Sequence, residues 1–159
     1  ALPLEVLAEA AGLQLTWDEV EGAAWLSTDQ AQPASASYPA EDLYWLSRII
    51  SAESRGEPLL GQIAVGNVIL NRVESSQYPD TVEGVVFDTK YGVQFQPVSN
   101  GTIYDAPASS SLVAAKLCLE GTDVVGESLY FFSPALSAGR WIVSNATYYT
   151  TIGGHQFYV

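Results

Sequence analysis

The sequence predicts an α+β domain in which helices come first and a small antiparallel sheet comes last. Three observations support this prediction. Between residues 40 and 73 the apolar residues recur with the spacing of one helix face. After Ser128 the pattern changes to short aromatic and β-branched runs separated by Gly, Pro, Ser and Asn. Neither a GxGxxG motif nor a phosphate-binding loop is present, so a nucleotide-binding fold is not indicated.

The first part of the chain differs in charge from the rest. Residues 1–47 hold eight acidic residues and no lysine or arginine. Residues 3–11 favour a helix, and the runs at 13–17 and 23–26 predict a hairpin. The stretch that follows is rich in Ala, Ser and Pro, which is typical of a linker. We therefore divide the chain into an accessory remnant at 1–27, a linker at 28–39 and a main domain at 40–159.

The main domain begins with helices. The first has an apolar face, and Gly56 and Pro58 end it. That face carries Leu43, Leu46, Ile49, Ile50 and Glu53. The further predicted elements are a helix at 60–73, a short helix at 81–87 with a capping box from Asp80 to Glu83, an irregular stretch at 90–104 and a helix at 110–120.

Four short strands are predicted at the end of the chain. Each is rich in aromatic or β-branched side chains, and turn-forming residues separate them. They are SLYFFSP (128–134), WIVS (141–144), TYYTTI (147–152) and HQFYV (155–159).

Composition excludes several classes of function. The chain has 159 residues, 48% hydrophobic, which fits a folded domain. Its net charge of −12 has the wrong sign for neutralising phosphates, so we expect no nucleic acid partner. No apolar run approaches the ~18–20 residues of a membrane-spanning helix. Because the sequence begins inside a predicted helix, we expect it to be a piece of a longer polypeptide that carries the targeting signal.

Cysteine and histidine are each present once. A single cysteine excludes an internal disulfide, and one of each leaves too few ligands for a Cys/His zinc site. We therefore expect neither a metal nor another cofactor. Cys118 lies in an apolar helical stretch, so we interpret it as a buried core residue rather than a nucleophile.

Glu53 is the one position that violates the apolar pattern of its helix. A carboxylate on such a face must pair, become protonated or open onto a cleft. Burial would raise its pKa and make it a proton donor near neutral pH, as glycosidic bond cleavage requires. The alternatives are solvent exposure at the helix end, or an ion pair with Arg48, Arg55 or Arg72. Glu57 is a second candidate acid, but its place after Gly56 favours holding a turn or pairing with Arg55.

The run WLSRIISAESRGEPLLGQIAVGNVILNRV (45–73) resembles the pattern of the SleB/CwlJ family of cell-wall hydrolases, the spore-cortex-lytic enzymes. Three later segments match the same family in order: YPDTVEGVVFD (78–88), VQFQPVSNG (93–101) and LYFFSP…W…IGGHQFY (129–158). The resemblance implies a lysozyme-like lytic transglycosylase fold. It also implies that Glu53, in A-E-x-R-G-E-P, is the essential acid. The implied partner is peptidoglycan, cleaved between N-acetylmuramic acid and N-acetylglucosamine.

Hydrolysis of that bond normally needs a second carboxylate. No motif singles one out, because the other acids of the domain lie where a solvated charge is expected. These are Glu83, Asp88, Asp105 and Glu127. A lytic transglycosylase needs only one glutamate, which protonates the leaving oxygen and then accepts the proton of the sugar's C6 hydroxyl. We therefore expect transglycosylation, with 1,6-anhydro-muramyl ends as the product.

The resemblance also suggests substrate contacts. Amide and aromatic side chains are expected to line a glycan-binding groove. The matched segments supply Gln94, Phe95, Tyr130, Trp141 and His155, although the aromatic residues among them could equally be core residues. Asn71 and Arg72 are expected to brace the helix pair.

Two further expectations concern the chain as a whole. Residues 2–26 resemble part of a copper amine oxidase-like N-terminal module, an extracellular stalk, with no copper implied. The expected location is therefore extracellular, at the cell wall or spore cortex.

The alternatives to a transglycosylase are an N-acetylmuramoyl-L-alanine amidase and a peptidoglycan-binding module without activity.

Overall fold

The computed structural model describes residues 8, 14–18, 23–27, 38–90 and 92–159. The chain divides into two compact units, Ala1–Ser37 and Tyr38–Val159. In the first unit, β1 (Gln14–Asp18) and β2 (Ala23–Ser27) pair as an antiparallel hairpin, as predicted. Ala8 is helical. The remainder of the helix predicted at 3–11 and residues 28–37 of the predicted linker lie outside the described residues.

The second unit has helices first and a three-stranded sheet last, which confirms the predicted α+β class. Its elements are α1 (Ala40–Ser54), α2 (Leu59–Glu74), α3 (Val82–Val86), α4 (Gln96–Asn100), a 3-10 turn (Thr102–Tyr104), α5 (Ser109–Leu119), β3 (Tyr130–Phe132), α6 (Arg140–Asn145), β4 (Tyr148–Ile152) and β5 (His155–Tyr158). Within the described ranges, no helix has the length and apolarity to cross a bilayer.

Helix α2 is the centre of this unit. Every residue from 61 to 69 is buried, in keeping with a sequence that is apolar on nearly all sides. One side packs with α1, α3 and α5, and the other packs against Phe157 of β5. A side chain at Gly66 would lie 2.7 Å from both Cys118 and Ile50. Cys118 is buried as predicted, and burial raises its pKa to about 12.

Two local predictions are corrected in the helical region. Thr81, not Asp80, caps α3, because the Thr81 hydroxyl accepts a hydrogen bond from the Gly84 N–H at 3.0 Å. The stretch at 90–104, expected to be irregular, contains α4 and the 3-10 turn. Both of these elements are too short to show a periodic apolar pattern in the sequence.

The sheet has the order β3-β5-β4, and all its pairs are antiparallel. Three of the four predicted strands contain an observed strand. The fourth, predicted at 141–144, is wrong, because these residues form α6. None of the residues of α6 is buried, and the Asn145 amide donates to the Trp141 carbonyl one turn earlier at 2.8 Å. The β-branched residues there lie outside the sheet, and strand propensity depends on packing within one.

Polar side chains of α2 fix the chain that leads into the sheet. The Asn67 amide donates to the Thr122 carbonyl at 2.7 Å, and the Asn71 amide donates to the Ser128 carbonyl at 2.9 Å. The Arg72 Nε donates to the Leu129 carbonyl at 2.8 Å. Asn71 and Arg72 therefore brace the segment before β3 rather than the helix pair, which corrects the expectation from sequence.

Candidate active site

An open cleft with a volume of ≈ 230 Å³ lies between the helices and the sheet of the second unit. Its walls combine one carboxylate, one guanidinium, one imidazole and several apolar rings, a composition suited to a polar ligand with apolar faces. The residues that line it are Glu53, Arg72, Gln94, Phe95, Phe131, Phe132, Ser133, Leu136 and His155. Four of the six side chains predicted as site residues therefore share one cleft.

Glu53 lies in the last turn of α1, one residue before its end at Ser54. The residues before it on the same face, Ile49 and Ile50, are fully buried, and Glu53 itself is half-buried at the cleft. Burial raises the pKa of its carboxyl group above the ordinary value. The periodicity of α1 thus places a carboxyl group with a raised pKa at the cleft wall.

The alternative of an ion pair at Glu53 is not observed among the described residues, none of which hydrogen-bonds or forms an ion pair with this carboxylate. Arg48 stacks on the Tyr44 ring, 3.6 Å from its centroid, and Arg72 donates to the Leu129 carbonyl. With no cation at contact distance, desolvation is the cause that sets the pKa of Glu53.

Glu57 does hold a turn, as expected, but the turn is distant in sequence. Its Oε2 accepts a hydrogen bond from the Gly154 N–H at 2.8 Å, between β4 and β5. Gly153 has a φ of +58°, a left-handed conformation that favours glycine, and a Cβ on Gly153 or Gly154 would displace the Glu57 carboxylate from the turn. Glu57 therefore fixes the tip of the sheet to the end of α1, and no ion pair with Arg55 is recorded among the described residues.

His155 is the first residue of β5 and is 8% exposed. Its Nδ1 is buried without a hydrogen-bond partner among the described residues, and the nearest charged atom is Glu57 Oε1 at 3.9 Å. Burial lowers the pKa of the imidazole, and the Glu57 carboxylate opposes that shift. The ring is therefore neutral at pH 7, and Glu57 favours the tautomer that carries its proton on Nδ1.

The remaining predicted contacts fall into two groups. Gln94 and Phe95 line the cleft, and Phe95 is also part of the hydrophobic core at 4% exposed. Tyr130 and Trp141 are not among the described residues that line it. They form an edge-to-face pair with ring centroids 5.5 Å apart, and Trp141 is 61% exposed. Their contact with substrate stays a prediction.

For part of the cleft wall, no individual residue stands out in the sequence. Arg72 is predicted only as a brace or as an ion-pair partner of Glu53, and Phe131, Phe132, Ser133 and Leu136 only as a strand and its flank, yet all five line the cleft. Aromatic residues in a strand occur on both faces of a sheet. The strand pattern alone therefore cannot tell which of them faces a cleft.

Similarity to known proteins agrees with this geometry. A family model for Cell Wall Hydrolase matches residues 56–158. The chain belongs to the cell wall hydrolase family. Since the match begins after Glu53, the case for this residue rests on its burial and its place in the cleft. The family predicted from the sequence is confirmed.

Individual proteins are also similar to this chain in sequence. A spore cortex-lytic enzyme of Bacillus cereus is 40% identical over 105 residues, which cover 66% of this chain and 39% of that protein. A spore cortex-lytic enzyme of Halalkalibacterium halodurans is 36% identical over 129 residues, 81% of this chain and 38% of that protein. The chain thus spans about two fifths of the length of these relatives.

Among solved structures, the catalytic domain of the germination-specific lytic transglycosylase SleB from Bacillus anthracis superposes with a TM-score of 0.70. It is 37% identical, and the alignment covers 77% of this chain and 98% of that domain. The predicted lysozyme-like fold is confirmed. Cell wall hydrolase membership and this likeness also support the predicted class of peptidoglycan-cleaving enzyme.

Proposed function

We propose that this cell wall hydrolase is a lytic transglycosylase that cleaves the β-1,4 bond between N-acetylmuramic acid and N-acetylglucosamine, with Glu53 as general acid and base. Its site of action is the cell wall or spore cortex, outside the cytoplasmic membrane. The observation that carries the proposal is a half-buried glutamate at the wall of the cleft, with a raised pKa and no partner among the described residues.

The reaction needs one carboxyl group in two protonation states. Protonated Glu53 donates its proton to the glycosidic oxygen as the bond from that oxygen to C1 of the muramic acid breaks. The resulting Glu53 carboxylate accepts the proton of the C6 hydroxyl as O6 bonds to C1 and closes the 1,6-anhydro ring. Glu53 ends the cycle protonated, and no water is consumed.

The composition of the cleft supports this route over hydrolysis. Glu53 is the only carboxylate among the described residues that line it. A second carboxylate is needed to activate water or to form a covalent intermediate, whereas ring closure by the substrate's own hydroxyl does not need one. The cleft's rings, Phe95, Phe131 and Phe132, offer apolar surface to sugar faces.

The decisive experiment is product analysis with a matched variant. The wild type and Glu53→Gln are incubated with purified peptidoglycan, and the released fragments are identified by mass spectrometry. We expect anhydro-muramyl ends from the wild type and a rate about 10²–10⁴ lower from the variant. Reducing ends would show a hydrolase, and released stem peptides would show an amidase. Equal binding of both proteins to peptidoglycan with no cleavage by either would show a binding module.

Folding of the variant is checked separately. A buried carboxyl group with a raised pKa destabilises the folded state once it ionises, so glutamine at position 53 removes an unfavourable charge. The Glu53→Gln protein should therefore be at least as stable as the wild type at pH 8 in thermal unfolding. Lower stability there would mean that the carboxylate has a favourable partner.

A further inference from the structure

Arg72 is a buried cation whose surroundings are mostly apolar. It lies in the last turn of α2 and is 6% exposed. Its guanidinium carbon lies 5.0 Å from the centre of the Tyr78 ring and 5.4 Å from that of Phe95. The Nε donates to the Leu129 carbonyl at 2.8 Å, so the planar group has a fixed orientation.

The two terminal nitrogens of Arg72 have no hydrogen-bond partner in the described part of the chain. Asp88 is near enough to act on the pKa of Arg72 but forms no ion pair with it, and the Asp88 carboxylate accepts the Lys90 N–H at 2.9 Å. The terminal nitrogens are also absent from the fully buried unpartnered atoms, so they keep access to solvent. A guanidinium that is largely withdrawn from water and has no anion in contact among the described residues is unfavourable, which indicates that a ligand supplies one.

Arg72 is also the only cation among the described residues that line the cleft. The protein as a whole carries a net charge of −12, which disfavours the approach of an acidic polymer. A guanidinium offers two parallel N–H donors that match a carboxylate. The cleft therefore presents one position, among the described residues, at which a negative group is accepted, and Glu53 lines the same cleft.

We infer that Arg72 binds a carboxylate of the peptidoglycan in the same cleft as Glu53 and so makes the enzyme selective for acidic glycan strands. This inference rests on the proposed function. Two groups could supply the carboxylate: the stem peptide, or the lactyl group of a muramic acid that has lost its peptide.

The test is a cycle of enzyme and substrate changes. Soluble glycan strands with stem peptides are compared with the same strands after carbodiimide coupling of their carboxylates to methylamine, which leaves neutral amides. For the wild type we expect amidation to lower kcat/KM about tenfold or more, the effect of a lost charge-assisted hydrogen bond. For Arg72→Gln we expect low activity on both substrates and almost no further loss on amidation. An equal loss in both proteins would overturn the inference.

A second pair of substrates identifies the source of the carboxylate. Strands stripped of stem peptides by an amidase carry free lactyl carboxylates, and they too are tested before and after amidation. If amidation lowers kcat/KM only for the intact strands, the stem peptide supplies the carboxylate. If it lowers kcat/KM only for the stripped strands, the lactyl group supplies it. If amidation of neither the intact nor the stripped strands changes kcat/KM of the wild type, the carboxylate site is contradicted, regardless of the results for the variants.

Arg55→Gln is the matched control. Arg55 is exposed and does not line the cleft, so its loss removes the same charge while leaving the wild-type sensitivity to amidation. If Arg72→Gln does not fold, Arg72→Lys keeps the charge without the planar fork, and we expect an intermediate sensitivity.

Failure of the inference can be distinguished from failure of the proposed function. If the wild type releases no anhydro-muramyl ends, binding of Glu53→Gln and of the Glu53→Gln, Arg72→Gln double variant to insoluble peptidoglycan is measured instead. If amidation of the peptidoglycan weakens binding of Glu53→Gln but not of the double variant, the carboxylate site is supported. Equal affinities throughout would contradict it.

Discussion

The two parts of the second unit build opposite walls of the same cleft in different ways. The helical part (residues 40–119) carries Glu53 on a densely packed frame, in which Leu46, Ile49 and Ile50 have no exposed surface. The C-terminal part (residues 120–159) is more open, and Tyr148 and Tyr149 of β4 are 54% and 51% exposed. The packing of the helical core therefore holds Glu53 in position.

The sheet wall combines the packing of Phe157 against α2 with polar contacts at a few points. These are Gly154 N–H to Glu57, Asn71 to the Ser128 carbonyl and Arg72 to the Leu129 carbonyl. A substitution in the helical core should accordingly lower stability and leave the chemistry of the folded protein intact. A substitution at a contact point should displace the sheet wall and change activity as well.

The largest expected effect is that of pH on the rate. Glu53 must be protonated to act as the acid, and burial raises its pKa, so kcat/KM should fall about tenfold per pH unit above that pKa. The groups that share its cleft are Arg72, which is positive, and His155, which burial keeps neutral above its lowered pKa. Protonation of His155 should therefore produce a second fall in rate, below the ordinary histidine range.

The pH profile of His155→Gln separates the two groups. It should lose the fall on the acidic side and keep the one on the basic side. A basic-side fall at the ordinary pKa of an exposed carboxyl group would contradict a sheltered Glu53.

Gly153→Ala should have the next largest effect. Gly153 has a φ of +58°, and an added Cβ would overlap the Glu57 carboxylate that holds the turn. Strain in the left-handed region and loss of the charged hydrogen bond together predict a destabilisation of about 2–4 kcal/mol. Because the turn places His155, we also expect kcat/KM of the folded protein to fall about tenfold or more.

Gly56→Ala is the matched control for this substitution, since nothing lies within 4 Å of the added Cβ. It should leave the melting temperature and kcat/KM nearly unchanged. Full activity of Gly153→Ala at a temperature where it is folded would show that Glu57 does not position the sheet wall.

Gly66→Ala makes the same chemical change in the helical core. Its Cβ would lie 2.7 Å from Ile50 and Cys118, and overpacking of this kind destabilises a protein by about 1–3 kcal/mol. Higher helix propensity offsets about 0.5–1 kcal/mol of that. Chemical denaturation should show a net loss, with kcat unchanged once corrected for the folded fraction. A lower kcat in fully folded protein would mean that the core transmits strain to Glu53.

The same difference between the two parts decided what the sequence could predict. Helices α1 and α2 follow from the spacing of apolar residues, and Glu53 is conspicuous because it interrupts such a face. Arg72 could not be placed in the cleft, because α2 is apolar on nearly all sides and no face of it is distinctive. Its role depends on the sheet that packs beside it.

The C-terminal part was harder to predict because its segments are short and depend on their partners. Residues 141–144 have strand propensity yet form part of a helix, since strand propensity reflects packing on a half-buried sheet and none of these residues is buried. The contact between Glu57 and Gly154 joins positions 97 residues apart, and no local pattern can indicate it. The role of residues 1–27 as an accessory module stays a prediction.

Trp141→Ala should give the smallest effect and tests whether an exposed ring outside the cleft takes part in binding. The ring is 61% exposed and touches Tyr130 edge-on, so its loss should change stability by no more than about 0.5 kcal/mol. If the glycan extends beyond the cleft onto this ring, KM should rise severalfold with kcat unchanged, because stacking on a sugar face is made equally in the ground and transition states. Tyr149→Ala, an exposed ring on β4, is the control and should leave KM unchanged. An unchanged KM for both variants would confine substrate binding to the cleft itself.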